Sequence, residues 1–216
     1  MIKFLHYLSN MNIYLDESYN LQKTRGKMFV SINGFAVFDD RLLRKRWKIV
    51  RKDYVRSKRR VHATDSYFEE LRKKSLKLLN RNDISVFSVF QVIQELPYDY
   101  FDKEGIKFDF LYASLLKKLF VEMSLGEYKK IRIFIDARKH KGGKLGEKKF
   151  QKEIEDFLKN KFFNTVCIYK ATPSYLDVLV ELSDFVSNTF YREYQNNSTH
   201  VFKDAGIRFI QIKNPL

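Results

Sequence analysis

The stretch MNIYLDESYN, residues Met11 to Asn20, runs from an apolar segment straight into two adjacent carboxylates and a hydroxyl, Asp16, Glu17 and Ser18. Asn12 to Leu15 has the character of a β-strand, and a strand end holds its side chains rigidly enough to meet those of neighbouring strand ends at the mouth of a sheet. Carboxylates gathered there repel one another unless a cation lies among them, and hard divalent ions such as Mg²⁺ or Mn²⁺ take oxygen ligands. Asp16 is therefore a candidate metal ligand that needs distant partners. The alternative is that Asp16 opens a turn with Ser18 and Asn20.

Outward from this stretch, KMFVSINGFAVF at Lys27–Phe38 is rich in β-formers and lacks proline. It reads as a strand buried on both faces, pairing back onto the first through a turn around Asn20 to Gly26. Asp39 and Asp40 can cap a helix that places Leu43, Trp47, Val50 and Tyr54 on one stripe. A helix from about Ser66 to Asn80, a strand at Ile84–Ile93 and a helix at Phe108–Met123 follow. Then KIRIFIDAR, Lys130–Arg138, repeats the opening pattern: a short β-run with an aspartate, Asp136, near its end.

The loop from Arg138 to Lys149 holds six Lys or Arg with His140 and three glycines. No phosphate-binding glycine motif occurs there, and the segment reads as a mobile basic loop. Phe150–Lys161 reads as a helix, Thr165–Tyr169 as a strand and Pro173–Glu193 as the last long helix. On that helix Asp177, Glu181, Asp184 and Asn188 form a polar stripe that also suits a solvated face. After a polar loop at Gln195–His200, a β-run at Ile207–Ile212 could cover a sheet edge.

The 216 residues suit one domain, with residues 1–10 leaving room for an N-terminal extension. A hydrophobic content of 44% excludes general disorder. One cysteine, Cys167, excludes an internal disulfide. With no secretory signal and no long uncharged apolar run, the chain reads as cytoplasmic, with no membrane partner. The net charge of +15 points to a polyanion. Eleven Lys or Arg and one acid lie between Arg41 and Arg60, a net +10, leaving +5 to the other 196 residues. The charge is a patch, and its density favours phosphate contact. Candidate nucleic-acid-binding residues are Arg44, Arg46, Arg51, Lys58, Arg59 and Arg60, joined by Arg138, Lys139, Lys141 and Lys144.

One arrangement uses a first strand with an Asp, a later strand ending in an Asp, and a late helix laying another acid over their tips: the ribonuclease H arrangement. The residues also resemble a specific family, designated domain of unknown function 3800, whose members are ribonuclease H-like proteins. The resemblance is carried by Tyr14-Leu15-Asp16-Glu17-Ser18, by Phe134-Ile135-Asp136 and by Val180-Glu181-Leu182-Ser183-Asp184-Phe185-Val186. Ser183 stands where alanine is usual, and Arg59-Arg60-Val61-His62 where the family often has a glutamate, so a fourth acid is missing. The resemblance implies an α/β ribonuclease H-like single domain, a central mixed β-sheet with helices on both faces.

It also implies a divalent-metal-dependent nuclease, in which Asp16, Asp136 and Asp184 hold one or two Mg²⁺ or Mn²⁺ ions. Glu17 joins them as a catalytic acid, with His62, Asp65 and Glu181 as further candidates. The rival expectation is a non-catalytic nucleic-acid-binding protein that keeps the fold, and a third is another acid-rich phosphatase or nuclease fold. The first two differ in whether the carboxyl oxygens of Asp16, Asp136 and Asp184 approach a shared point.

Overall fold

Alternation of β-forming and amphipathic segments places this chain among α/β proteins. The computed structural model describes residues 8–54, 63–64, 66–196 and 201–216. In it β1 (Leu8–Asn20), β2 (Phe29–Val37) and β3 (Ile84–Val92) form an antiparallel meander. Beside β1 on its other edge lies β6 (Tyr128–Ile135), parallel to it, and then β7 (Val166–Ala171), parallel to β6. The connection between β6 and β7 is the helix α4 (Gly143–Lys161), as a parallel crossover requires. β8 (Phe209–Lys213) pairs in parallel with β3 and covers that edge. The six strands run in the order β7-β6-β1-β2-β3-β8.

Helices cover both faces, as expected. On one face α3 (Phe108–Glu122) and α4 pack on Ile13, Leu15, Ile32 and Ile133. On the other, α1 (Arg41–Lys52), α2 (Glu69–Leu79) and α5 (Val178–Asn196) pack on Tyr14, Phe35 and Phe90. The stripe expected on α1 is present: Leu43 and Trp47 are fully buried, and Val50 and Tyr54 pack against them. All nine residues of β2 are buried, in keeping with the absence of charge from its sequence. A two-stranded ribbon, β4 (Phe101–Asp102) with β5 (Gly105–Ile106), lies outside the sheet, and a short α6 (Val201–Asp204) precedes β8. Among the described residues no helix is long and apolar enough to cross a membrane.

Three elements have a boundary more than three residues from the sequence reading. β1 begins at Leu8, inside the segment read as an extension, and continues through Asp16 to Asn20, with Asp16 opposite Asn33 and Asn20 opposite Phe29. Asp16 therefore sits within a strand and opens no turn. The glycine-rich basic segment is loop only up to Gly142, whose φ of 86° suits glycine; from Gly143 it is the first part of α4. Finally, α5 begins at Val178 and not at Pro173. Residues 173–176 close a turn, with Leu176 N–H donating to the Pro173 carbonyl at 2.8 Å, and Asp177 Oδ1 accepts from Leu179 N–H at 2.8 Å, capping the helix.

Candidate carboxylate site

The strand register brings two of the expected acids together. Leu15 in β1 is paired with Ile135 in β6, and the Asp136 amide donates to the Leu15 carbonyl at 3.1 Å. Asp16 and Asp136 are thus side by side, one residue beyond this pair on each strand. From the α5 side Asp184 approaches. The Asp16 carboxyl is only 8% exposed and titrates well above the usual carboxylate range, through burial first, then the negative charges of Asp184, Glu17 and Asp136. Three separate elements therefore direct acids at one residue.

Each neighbour is held. Asp136 Oδ1 accepts from the Ser174 amide at 2.8 Å, in the turn before α5, and Asp184 Oδ2 accepts from the Ala63 amide at 3.0 Å. Glu17 has the opposite strand parity from Asp16 and accepts from the Tyr112 hydroxyl of α3 at 3.2 Å. Burial raises its pKa, while Arg138 and the Tyr112 hydrogen bond work against that rise. Arg138 lies 4.6 Å from the ring centroids of both Phe108 and Tyr112 and pairs with Asp109 at 2.7 Å.

Asp16, Glu17, Thr64, Asp184, Asn188 and Tyr191 help to line a cleft of about 340 Å³. By chemistry this donor set fits a hard cation, since it is all oxygen and the negative charges of Asp184, Glu17 and Asp136 converge on Asp16. As the side chains stand, however, no three His, Cys, Asp or Glu residues among those described form a group able to hold an ion. Two of the three proposed ligands have an oxygen committed to a backbone amide.

Beneath the cleft lies a polar network that the sequence reading missed. Asn33, fully buried in β2, donates through Nδ2 to the hydroxyls of Ser18, Ser31 and Ser187 at 3.0–3.1 Å and accepts from Ser88 at 2.6 Å. Ser88 in turn is hydrogen-bonded to the Tyr194 hydroxyl. This ties α5 to three strands directly under the acids. A signal existed: Asn33 and Ser31 interrupt an otherwise apolar run, and polar groups on a strand buried on both faces must find partners.

The basic residues divide into two groups. Arg44 of α1 pairs with Asp177 at 2.9 Å and donates to the Tyr14 hydroxyl at 3.1 Å; Arg51 pairs with Glu181 at 2.6 Å. Trp47 Nε1 also donates to Glu181, which is 3% exposed and pushed up to about 7, burial outweighing Arg51. Of the stripe read as suiting a solvated face, Asp177 and Glu181 are therefore partners for α1. Lys141 is paired with Glu104, whereas Arg46, Lys139 and Lys144 are exposed and make no ion pair among the described residues. Lys58, Arg59, Arg60, His62 and Asp65 lie outside the described residues.

No protein-family model matches the chain, and no curated protein matches it. The family resemblance rests on the three motifs alone.

Proposed function

We propose that the chain is a ribonuclease H-like, divalent-metal-dependent nuclease that hydrolyses phosphodiester bonds of nucleic acid. The observation that carries this reading is the Asp16 carboxyl, buried in the sheet with Asp184, Glu17 and Asp136 all raising its pKa. A carboxyl that is both buried and surrounded by other acids is the arrangement that makes a residue a functional-site candidate. Asp16, Asp136 and Asp184 would hold Mg²⁺ or Mn²⁺, which supplies Lewis-acid activation and neutralises developing charge.

The chain's own groups do the positioning. The Ser174 and Ala63 amides orient Asp136 and Asp184, and the network around Asn33 fixes α5 over the strands. Tyr112 and Arg138 hold Glu17 toward the other face. Exposed Arg46, Lys139 and Lys144 supply phosphate contacts that carry no sequence information. A cytoplasmic location belongs to the same proposal.

The test is cleavage of labelled single- and double-stranded DNA and RNA with Mg²⁺ or Mn²⁺. Asp16→Asn should reduce cleavage by orders of magnitude while affinity in metal-free buffer holds. Mn²⁺ should raise the melting temperature of the wild type much more than that of Asp16→Asn. Undiminished cleavage together with an equal Mn²⁺ response would overturn the reading. A non-catalytic nucleic-acid-binding protein is the second reading, favoured by the commitment of Asp136 and Asp184 to backbone amides; it requires binding without cleavage of any of the four substrates.

A further inference from the structure

Along α5, Asp184, Asn188 and Tyr191 are spaced four and three residues apart, which places them on one side of the helix. All three line the cleft beside Asp16. Tyr191 is partly exposed there, its ring packed against Phe29 with centroids 5.5 Å apart. Asn188 is 7% exposed, and its Oδ1 is buried without a hydrogen-bond partner among the described residues. Buried amide oxygens are rarely left so, because desolvation without a donor is unfavourable. An amide presents both a donor and an acceptor, the combination that reads the edge of a nucleobase, and a tyrosine ring offers a face for stacking. A volume of about 340 Å³ is of the order of one nucleotide.

We propose that this cleft binds an unpaired nucleobase, stacked on Tyr191 and hydrogen-bonded by Asn188, next to the carboxylates. Resting on the nuclease reading, this makes the substrate a single strand or an unpaired region, because a base within a duplex presents no free face. Stacking tolerates any base, while the amide adds a preference among them.

The test is equilibrium binding of fluorescent DNA and RNA 12-mers in EDTA, where cleavage plays no part. Three forms of each are compared: an intact single strand, a strand with abasic sites throughout, and a duplex. The wild type should bind at least one intact single strand on the order of tenfold more tightly than its abasic form. Tyr191→Leu should remove most of that difference, and Tyr191→Phe should keep it. Asn188→Ala should weaken the intact strand several-fold and leave the abasic strand unchanged, while its melting temperature holds or rises, since a buried acceptor without a partner has gone. The proposal is overturned by equal affinity for intact and abasic strands of both sugars, or by Tyr191→Leu weakening both forms alike. Failure here leaves the nuclease reading standing if the strands are still cut with metal; failure of cleavage alone leaves the base site standing.

Discussion

The two faces of β1 are built on different principles. Toward α3 and α4, Ile13 and Leu15 enter a core of aliphatic and aromatic side chains with Leu116, Ile133 and Ile154, where shape and volume decide the fit, and further along the strand Glu17 is hydrogen-bonded by Tyr112. Toward α5, Tyr14, Asp16 and Ser18 meet a surface in which Ser31, Asn33, Ser88 and Ser187 are buried and joined by directional hydrogen bonds. An apolar face tolerates small sliding of a helix. A hydrogen-bonded face does not, because a displaced donor leaves several acceptors without partners. Asp16, Asp136 and Asp184 meet on the second face, while Glu17 is held on the first.

The largest expected effect tests that contrast. Asn33→Leu nearly conserves volume but removes the hub of the network, leaving the hydroxyls of Ser187 and Ser88 to find other partners. Unfolding in urea should show a loss of about 4 kcal/mol, with cleavage falling further than stability alone explains. A cost below about 1 kcal/mol would mean that apolar packing holds this face as well. On the other face, Leu116→Ala leaves a cavity next to fully buried neighbours and should cost about 3 kcal/mol. Its remaining folded fraction should cut nucleic acid at the wild-type rate. A matching loss of rate would show that the apolar face also positions the acids.

These two faces were not equally legible in the sequence. The apolar pattern marked the strands and the α1 stripe, because period and burial are local properties, whereas the neighbouring positions of Asp16 and Asp136 were an expectation from the ribonuclease H arrangement that the pairing of β1 with β6 meets. Asn33 was passed over inside an apolar run, since its partners Ser88 and Ser187 are 55 and 154 residues away. Glu181 suited a solvated face for the same reason: Trp47 and Arg51, which hold it in the interior, lie 134 and 130 residues before it. The end of β1 was misplaced because Asp16, Glu17 and Ser18 resemble a turn. They remain in the strand through nine-residue pairing with β2, the Ser18–Ser31 hydrogen bond at 2.9 Å, and Asn20 donating to the Lys27 carbonyl at 2.9 Å. Glycine and lysine together suggested a loop at residues 143–149, where helix α4 in fact begins.

A smaller effect comes from the far end of α5. Glu193 is 3% exposed, accepts from the Val201 amide at 2.9 Å, and is pushed up to about 7, burial being the largest cause, with the charge of Asp204 adding to it. A carboxyl raised above its unfolded value of 4.5 favours folding while protonated, and that contribution is lost as pH rises from about 4.5 to 7. Urea midpoints should therefore fall across this window by the equivalent of about 1–3 kcal/mol from this group, and Glu193→Gln should flatten the slope. An unchanged pH dependence in Glu193→Gln would place the titration elsewhere.

The smallest effect on stability belongs to the solvent side of α1, where the same comparison can be made within one helix. Arg44 and Arg51 face α5 and are engaged by Asp177 and Glu181, so their charge is largely spent inside the protein. Arg46 and Lys48 are exposed and make no ion pair among the described residues. Replacing both by Gln should alter stability by less than about 0.5 kcal/mol. If this face meets phosphates, each lost contact removes about one from the slope of log affinity against log salt, so the double variant should lower it by about two, equally for unrelated sequences. Arg44→Gln, which removes a charge already paired, should leave the slope where it was. Net charge would predict the same change per cation wherever it lies; position on the helix predicts a difference between these variants. An equal slope in the Arg46 and Lys48 variant and the wild type would show that the basic face of α1 meets something other than nucleic acid.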